Sequence, residues 1–166
     1  MELNNGFEIE RKFLIEYPDT KLLKSQNGCV CAFLSQCYLN GGARIRRVEK
    51  DGEVKYIKTV KQHISDIKRI ENESEITKQE YENLLESKQQ GTNVIEKTRF
   101  FIPFKNHILE IDIFPFWNDR AFLEIELKSE NEEFLLPDYI KIIKEVTSDK
   151  RYNNSSLAKQ IITEEL

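Results

Sequence analysis

Residues 7–15 read FEIERKFLI, and the alternation within them decides how the rest of the chain is read. Successive side chains of a strand point to opposite sides. Glu8, Glu10 and Lys12 therefore share one face, and Phe7, Ile9, Arg11 and Phe13 the other. The same separation gives Arg44 and Arg46 one face of ARIRRV, Lys61 with Thr59 and Ile57 one face of KYIKTVK, and Glu71, Glu73 and Glu75 one face of RIENESEI. Lys97 and Arg99 share a face in VIEKTRFF, Glu110 and Asp112 in ILEIDIF, and Glu124 and Glu126 in FLEIEL. A solvated sheet face normally intersperses its signs. Here several strands are acidic on their charged face and others are basic, and like charges two residues apart repel. An antiparallel sheet closed into a barrel supplies a common cause: the charged face becomes the lumen, with acidic and basic walls opposed and helices outside.

Composition sets the bounds. The chain has 166 residues, 39% apolar and 33% charged, with a net charge of −4. Such a balance gives no general attraction to nucleic acid or to an anionic membrane, so phosphate can be held only by local clusters of Lys and Arg. No apolar run approaches the ~18 residues of a membrane span, and the N-terminus lacks an apolar signal core, so a cytoplasmic protein is expected. Cys29, Cys31 and Cys37 are odd in number and far in sequence from His63 and His107, which makes a poor zinc site; free thiols are expected. Sparse histidines also argue against Ser-His and Cys-His catalysis, leaving carboxylates as the ligands of any metal.

No repeat, low-complexity tract or linker divides the chain, which reads as one domain over residues 1–166. Strands are expected at 7–15, 36–40, 43–49, 53–61, 69–76, 94–104, 107–114 and 121–128, joined as an antiparallel meander with tight turns at Asp51-Gly52 and in FKNH. TKQEYENLLES opens with Thr77 and Glu80 in capping-box spacing and predicts a helix. Further helices are expected in DTKLLKS, within SENEEFLLPDYIKIIKEV, and around SSLAKQIITEEL. The fold class is mainly β (α+β), a closed eight-stranded antiparallel barrel with peripheral helices.

Such a lumen suits a polyanion and its cation. Carboxylates are hard ligands for Mg²⁺ or Mn²⁺, which complete their shells with water and phosphate oxygens. Arg grips phosphate in a planar fork and Lys adds a compact charge. Tripolyphosphate, or the tail of a nucleoside triphosphate, needs both walls.

EIERKF is the Glu-x-Glu-x-Lys signature, and QCYL, RIR, KTVK, RIENE, EKTRF, LEIDIF, LEIEL and TSDKRYNNSSLA follow it in order. On these motifs the chain resembles the CYTH superfamily, the triphosphate tunnel metalloenzymes, and in particular its small bacterial tripolyphosphatases. The resemblance implies an eight-stranded tunnel that cleaves a triphosphate with a divalent metal, Mg²⁺ or Mn²⁺. It implies Glu8, Glu10 and Glu126 as ligands of a first metal, and Glu73, Asp112 and Glu124 as candidates for a second metal or for holding the attacking water. Lys12, Arg44, Arg46, Lys61, Lys97, Arg99 and Lys150 would grip phosphate. Tyr38 would donate a proton or bind phosphate, so that Lys12, Tyr38 and Glu124 form the catalytic set. The implied partner is a small-molecule triphosphate, with no nucleic acid and no membrane, on a monomer or homodimer. A class IV adenylyl cyclase, a thiamine triphosphatase and a non-catalytic polyphosphate-binding module are the alternatives.

Other residues are expected to play no part. Arg11 and Arg47 face outward, Lys58 and Glu75 lie at the surface, His63 and His107 occupy turns, and Trp117 packs at a barrel mouth. Glu71 is open between the tunnel and the surface.

Overall fold

The computed structural model describes residues 5–166, with the backbone alone for Asn5. Its strands are β1 (Asn5–Glu16), β2 (Val30–Tyr38), β3 (Arg44–Lys50), β4 (Glu53–His63), β5 (Lys68–Ile76), β6 (Ile95–Phe104), β7 (His107–Ile113), β8 (Arg120–Leu127) and β9 (Ile142–Glu145). The first eight run in the order β5-β4-β3-β2-β6-β7-β8-β1, and β1 returns to β5, so the sheet is a closed barrel. Every pairing is antiparallel. Asp51 and Gly52, at φ 53° and 80°, form the tight β3–β4 turn whose twist matches its strands.

β1 is the seam. It pairs with β8 from Ile9 to Glu16, while its other edge is shared between β5, over Asn5–Ile9, and β9, over Phe13–Ile15. This explains one departure from expectation. The segment SENEEFLLPDYIKIIKEV contains no helix; Ile142–Glu145 is extended because the half of β1 that β5 leaves uncovered needs partners for its backbone groups. Val146 N–H continues the pairing onto Lys12 C=O at 2.8 Å.

Two other boundaries moved. The strand expected at 36–40 begins at Val30 and ends at Tyr38, because its first half has apolar side chains on both faces and so shows no alternation. The C-terminal helix spans only Asn154–Leu157 (α3). Beyond it the chain turns and has no regular structure, held by Trp117 Nε1 donating to Ile162 C=O at 2.8 Å and Arg120 Nη2 donating to Glu164 C=O at 2.7 Å. The other two expected helices form: α1 (Thr20–Ser25), capped by Asp19, and α2 (Lys78–Leu85), with the Thr77–Glu80 capping box complete.

Apolar packing lies on both sides of the barrel wall. Outside, Phe13, Ile15, Ile102, Leu109, Leu123 and Ile125 pack with Leu23 of α1 and Ile140 of the loop after β8. Cys37, Leu39 and Ile45 pack with Tyr81 of α2. Inside, Leu14, Ile95 and Phe122 fill one end of the lumen, against Phe114, Trp117, Tyr152 and Leu157. Each fully buried large side chain contributes roughly 1.5–3 kcal/mol. Ala32, Leu34, Val48 and Ile57, with Phe101, form a second apolar cluster on the inner face, and the lumen between the two clusters is polar.

Candidate active site in the tunnel

Cross-strand neighbours on one face fix the geometry. Lys12 lies opposite Glu124, Glu10 opposite Glu126, Arg44 opposite Thr59, Lys61 opposite Glu71, Arg99 opposite Asp112 and Glu8 opposite Arg69. All these residues therefore share the inner face, which bounds a cavity of about 790 Å³. Its described lining draws on all eight barrel strands and on the Thr147–Ser155 segment.

Around the barrel the charges fall into two arcs. β4, β3, β2 and β6 are consecutive and present Lys61, Arg44, Arg46, Tyr38, Lys97 and Arg99. β7, β8, β1 and β5 complete the circle and present Glu110, Glu124, Glu126, Glu8, Glu10, Glu71 and Glu73. Lys12 and Arg69 are cations of the acidic arc. Lys12 Nζ lies 3.0 Å from Glu124 and 4.0 Å from the centre of the Phe122 ring, so its ammonium has an acid on one side and an aromatic face on the other. Lys150 reaches the cavity from the 3-10 turn after β9 and is exposed.

Two guanidinium groups organise the acids. Arg99 Nε and Nη2 donate to Asp112 at 2.6 and 2.7 Å, Nη2 donates also to Glu124 at 2.7 Å, and Nη1 pairs with Glu110. Lys97 Nζ donates to Asp112 at 2.6 Å. Arg69 Nε donates to Glu8 at 2.8 Å and to Glu71 at 2.9 Å, and its Nη2 to Glu10 at 2.8 Å. Glu71 also pairs with Lys61. On the basic side Glu73 accepts from Arg46 Nη2 at 3.3 Å and from Thr59 at 3.2 Å.

The titration of these groups follows from burial and neighbours. Burial pushes Glu8 up to about 7, with Glu71 and Glu10 adding to the shift and Arg69 opposing it. Burial also pushes Glu110 up to about 7, against Arg99, which Glu110 shares with two other carboxylates. Glu71 resists its own burial and falls to about 2, drawn down first by Lys61 and then by Arg44. Glu124 is held well below the usual carboxylate range by Lys12 and Arg99 despite burial. Lys61 is pushed down to about 8 by desolvation and by Arg44 and Arg69. Tyr38 is pushed up to about 12 by burial and stays protonated. Gln36 Nε2 donates to its hydroxyl oxygen at 3.0 Å, which leaves the phenolic proton free to point elsewhere.

Of the residues expected in the site, Glu8, Glu10, Lys12, Tyr38, Arg44, Arg46, Lys61, Glu73, Lys97, Arg99, Glu124, Glu126 and Lys150 line the cavity. Asp112 does not: it is wholly buried behind Lys97 and Arg99. Nor does the structure gather Glu73 with Asp112 and Glu124, since Glu73 is turned onto β3 and β4. Glu71 resolves to the tunnel wall, buried at 3% exposure. The sequence reading left out Arg69 and Glu110 as site residues, although each shares strand parity with a residue it did place, Arg69 with Glu73 and Glu110 with Asp112. Trp117 is a packing residue, as expected.

A divalent cation suits the donors of the acidic arc, which are hard carboxylate oxygens with a proton to lose near neutrality at Glu8. Among the described residues no three carboxylates, histidines or cysteines stand in metal-ligand geometry, and Glu8, Glu10 and Glu71 are drawn onto Arg69.

The CYTH domain family model matches residues 6–160. Among solved structures, that of the inorganic triphosphatase NE1496 is 28% identical over 93% of this chain and 95% of its own, with a TM-score of 0.56. The PH1012 protein of Pyrococcus horikoshii OT3 shares the fold at 20% identity, covering 75% of this chain and 80% of its own, with a TM-score of 0.51. A conserved hypothetical protein of Pyrococcus furiosus does so at 19% identity, with coverages of 75% and 80% and a TM-score of 0.52. No curated protein sequence matches the chain. The family model spans nearly the whole barrel, and the chain belongs to the CYTH domain family.

Proposed function

We propose that this single tunnel domain is a divalent-metal-dependent phosphohydrolase that cleaves inorganic tripolyphosphate to pyrophosphate and phosphate. The observation that carries the reading is the basic arc facing an acidic arc across one cavity. A bare polyanion would be held by the first and repelled by the second; a cation between them reconciles both. Likeness to an inorganic triphosphatase at 28% identity supports the same reading.

Arg44, Arg46, Lys61, Lys97, Arg99 and Lys150, with Lys12 from the opposite arc, donate to phosphate oxygens. The Nε atoms of Arg44 and Arg46 are buried without an acceptor among the described residues, and a phosphate oxygen would supply one. Glu8, Glu10 and Glu126 would hold Mg²⁺ or Mn²⁺, which when bound offsets the anion's charge, polarises the scissile phosphoryl group and lowers the pKa of a water. Glu124 stays ionised beside Lys12 and orients the attacking water by accepting its hydrogen bond. Tyr38 keeps its proton and donates a hydrogen bond to a phosphate oxygen. Asp112 holds Lys97 and Arg99 in place from behind, and Glu73 does the same for Arg46.

No observation favours a substrate bearing a base or a thiamine ring. The aromatic rings of the described lining are those of Tyr38, Phe101 and the exposed His63, and Trp117 is committed to the core. The test is to supply tripolyphosphate, ATP and thiamine triphosphate separately with Mg²⁺ or Mn²⁺ and to identify the products. Pyrophosphate and phosphate from tripolyphosphate, abolished by excess chelator, are expected. Cyclic AMP from ATP, or binding without turnover of any of the three, would overturn the reading.

A further inference from the structure

Arg69 is out of place by sign. It stands on β5 within the acidic arc, directly opposite Glu8 of β1, and its side chain is largely shielded from solvent. Its guanidinium is planar with five donors, and here it bonds three carboxylates from two strands: Glu8 and Glu10 of β1 and Glu71 of β5. Two of those acids, Glu8 and Glu10, are the ones the proposed function gives to the metal. A divalent cation and this guanidinium cannot both take the facing lone pairs of Glu8 and Glu10.

We infer that Arg69 is the resident cation of the metal-free wall, which a divalent metal must displace from Glu8 and Glu10 in order to bind. This rests on the proposed metal role of the acidic arc. Without a cation, Glu8, Glu10 and Glu71 would face one another with little water between them, and the guanidinium neutralises them at that stage. Its removal from Glu8 and Glu10 leaves it on Glu71, where Lys61 is already paired. A half-buried guanidinium stripped of two acceptors takes another, and the phosphate of an incoming substrate is the acceptor the cavity receives. Arg69 thereby couples the two binding events: metal releases it, and the anion takes it up.

The discriminating variant is Arg69→Lys, which keeps the charge but cannot fork across Glu8, Glu10 and Glu71. Titrate the full-length chain with Mn²⁺ alone by calorimetry, at constant pH and without phosphate. The variant is expected to bind Mn²⁺ about tenfold more tightly than the wild type, roughly one charge-assisted hydrogen bond of competition removed. Equal dissociation constants overturn the inference while leaving the metal role of the wall intact. Absence of binding to both proteins overturns the metal role and the inference together. A measurement on the unaltered protein guards against a fold defect in the variant. The ¹⁵N-labelled Arg69 Nε–H resonance, identified by its loss in Arg69→Gln, should shift on adding Mg²⁺, and an unmoved resonance at saturating Mg²⁺ overturns the inference.

Discussion

Asp112 offers the sharpest choice between a ligand and a counter-ion. Its carboxylate has no exposed surface and accepts three hydrogen bonds, one from Lys97 at 2.6 Å and two from Arg99 at 2.6 and 2.7 Å. Asp112→Ala leaves two buried cations short of an acceptor, a change that typically costs about 3–5 kcal/mol. For a chain of this size that corresponds to a fall in Tm of roughly 6–20 °C. Asp112→Asn keeps one acceptor and should cost less than Asp112→Ala. Burial pushes the Asp112 carboxyl up, but Arg99 and Lys97 outweigh it and the net shift is downward. Its stabilisation is therefore fully present above the unfolded-state value near 3.9 and is lost as pH falls through the lower folded-state value. The variant should differ from wild type at pH 7 and converge with it in strong acid. Urea unfolding of both proteins in excess chelator, at neutral and at low pH, measures this. If Asp112→Ala in chelator unfolds within about 1 kcal/mol of wild type while its Mn²⁺ affinity collapses, Asp112 is a metal ligand and the buried counter-ion argument is wrong.

Arg44→Ala and Arg46→Ala should each raise KM for tripolyphosphate with a smaller effect on kcat, at roughly 1.5–3 kcal/mol per lost charged hydrogen bond; steady-state kinetics would contradict this by showing unchanged KM. Glu124→Gln should do the reverse, lowering kcat more than it raises KM, and a loss of affinity alone would remove Glu124 from the catalytic set. Glu110, at about 7 when folded against 4.5 as the ordinary value, holds its proton more tightly in the folded chain, so its contribution to stability declines as pH rises between those values and is level above them. Glu110→Gln should flatten that part of the wild-type stability profile by no more than about 3 kcal/mol, and urea midpoints at closely spaced pH values would reveal an unchanged slope. Trp117→Phe loses a hydrogen bond to Ile162 and core volume, so it should lower Tm by several degrees and leave KM unmoved; a changed KM would return Trp117 to the substrate site.

The barrel was legible because its lumen advertises itself. In β1, β3, β5, β6, β7 and β8 one face carries two or more charges at alternate positions, mostly of one sign within a strand, and no solvated sheet requires that. Legibility failed where the lumen turns apolar. Val30–Leu34 has hydrophobic side chains on both faces, so the first half of β2 left no period to read. It failed again where a segment's structure is dictated by a distant edge. Ile142–Glu145 has a helix-compatible pattern, and it is extended because β1 outruns β5. Within the site, strand parity gave the face of each charge but not its partner. Asp112 and Glu110 share a face, yet the first lies behind Lys97 and Arg99 and the second lines the cavity. Arg69 was missed for a related reason: a basic residue beginning an acidic strand reads as the strand's edge until β1 is known to lie against it.

That pairing bears on how the tunnel can bind anything at all. Its lining holds carboxylates and cations in nearly equal number, and many of them already satisfy one another. Either ligand alone can bind only by breaking internal ion pairs and leaving their other halves uncompensated, so each binds measurably but more weakly alone than with the other. A metal and a polyphosphate arriving together avoid that penalty. Each carboxylate freed from a guanidinium meets the metal, each guanidinium freed from a carboxylate meets a phosphate oxygen, and the charge balance of the lumen is maintained throughout. On this argument the internal ion pairs of the ligand-free tunnel select for a metal–triphosphate complex as a unit, and a substitution of one sign should weaken the binding of its own ligand and, through the exchanged partners, that of the other as well.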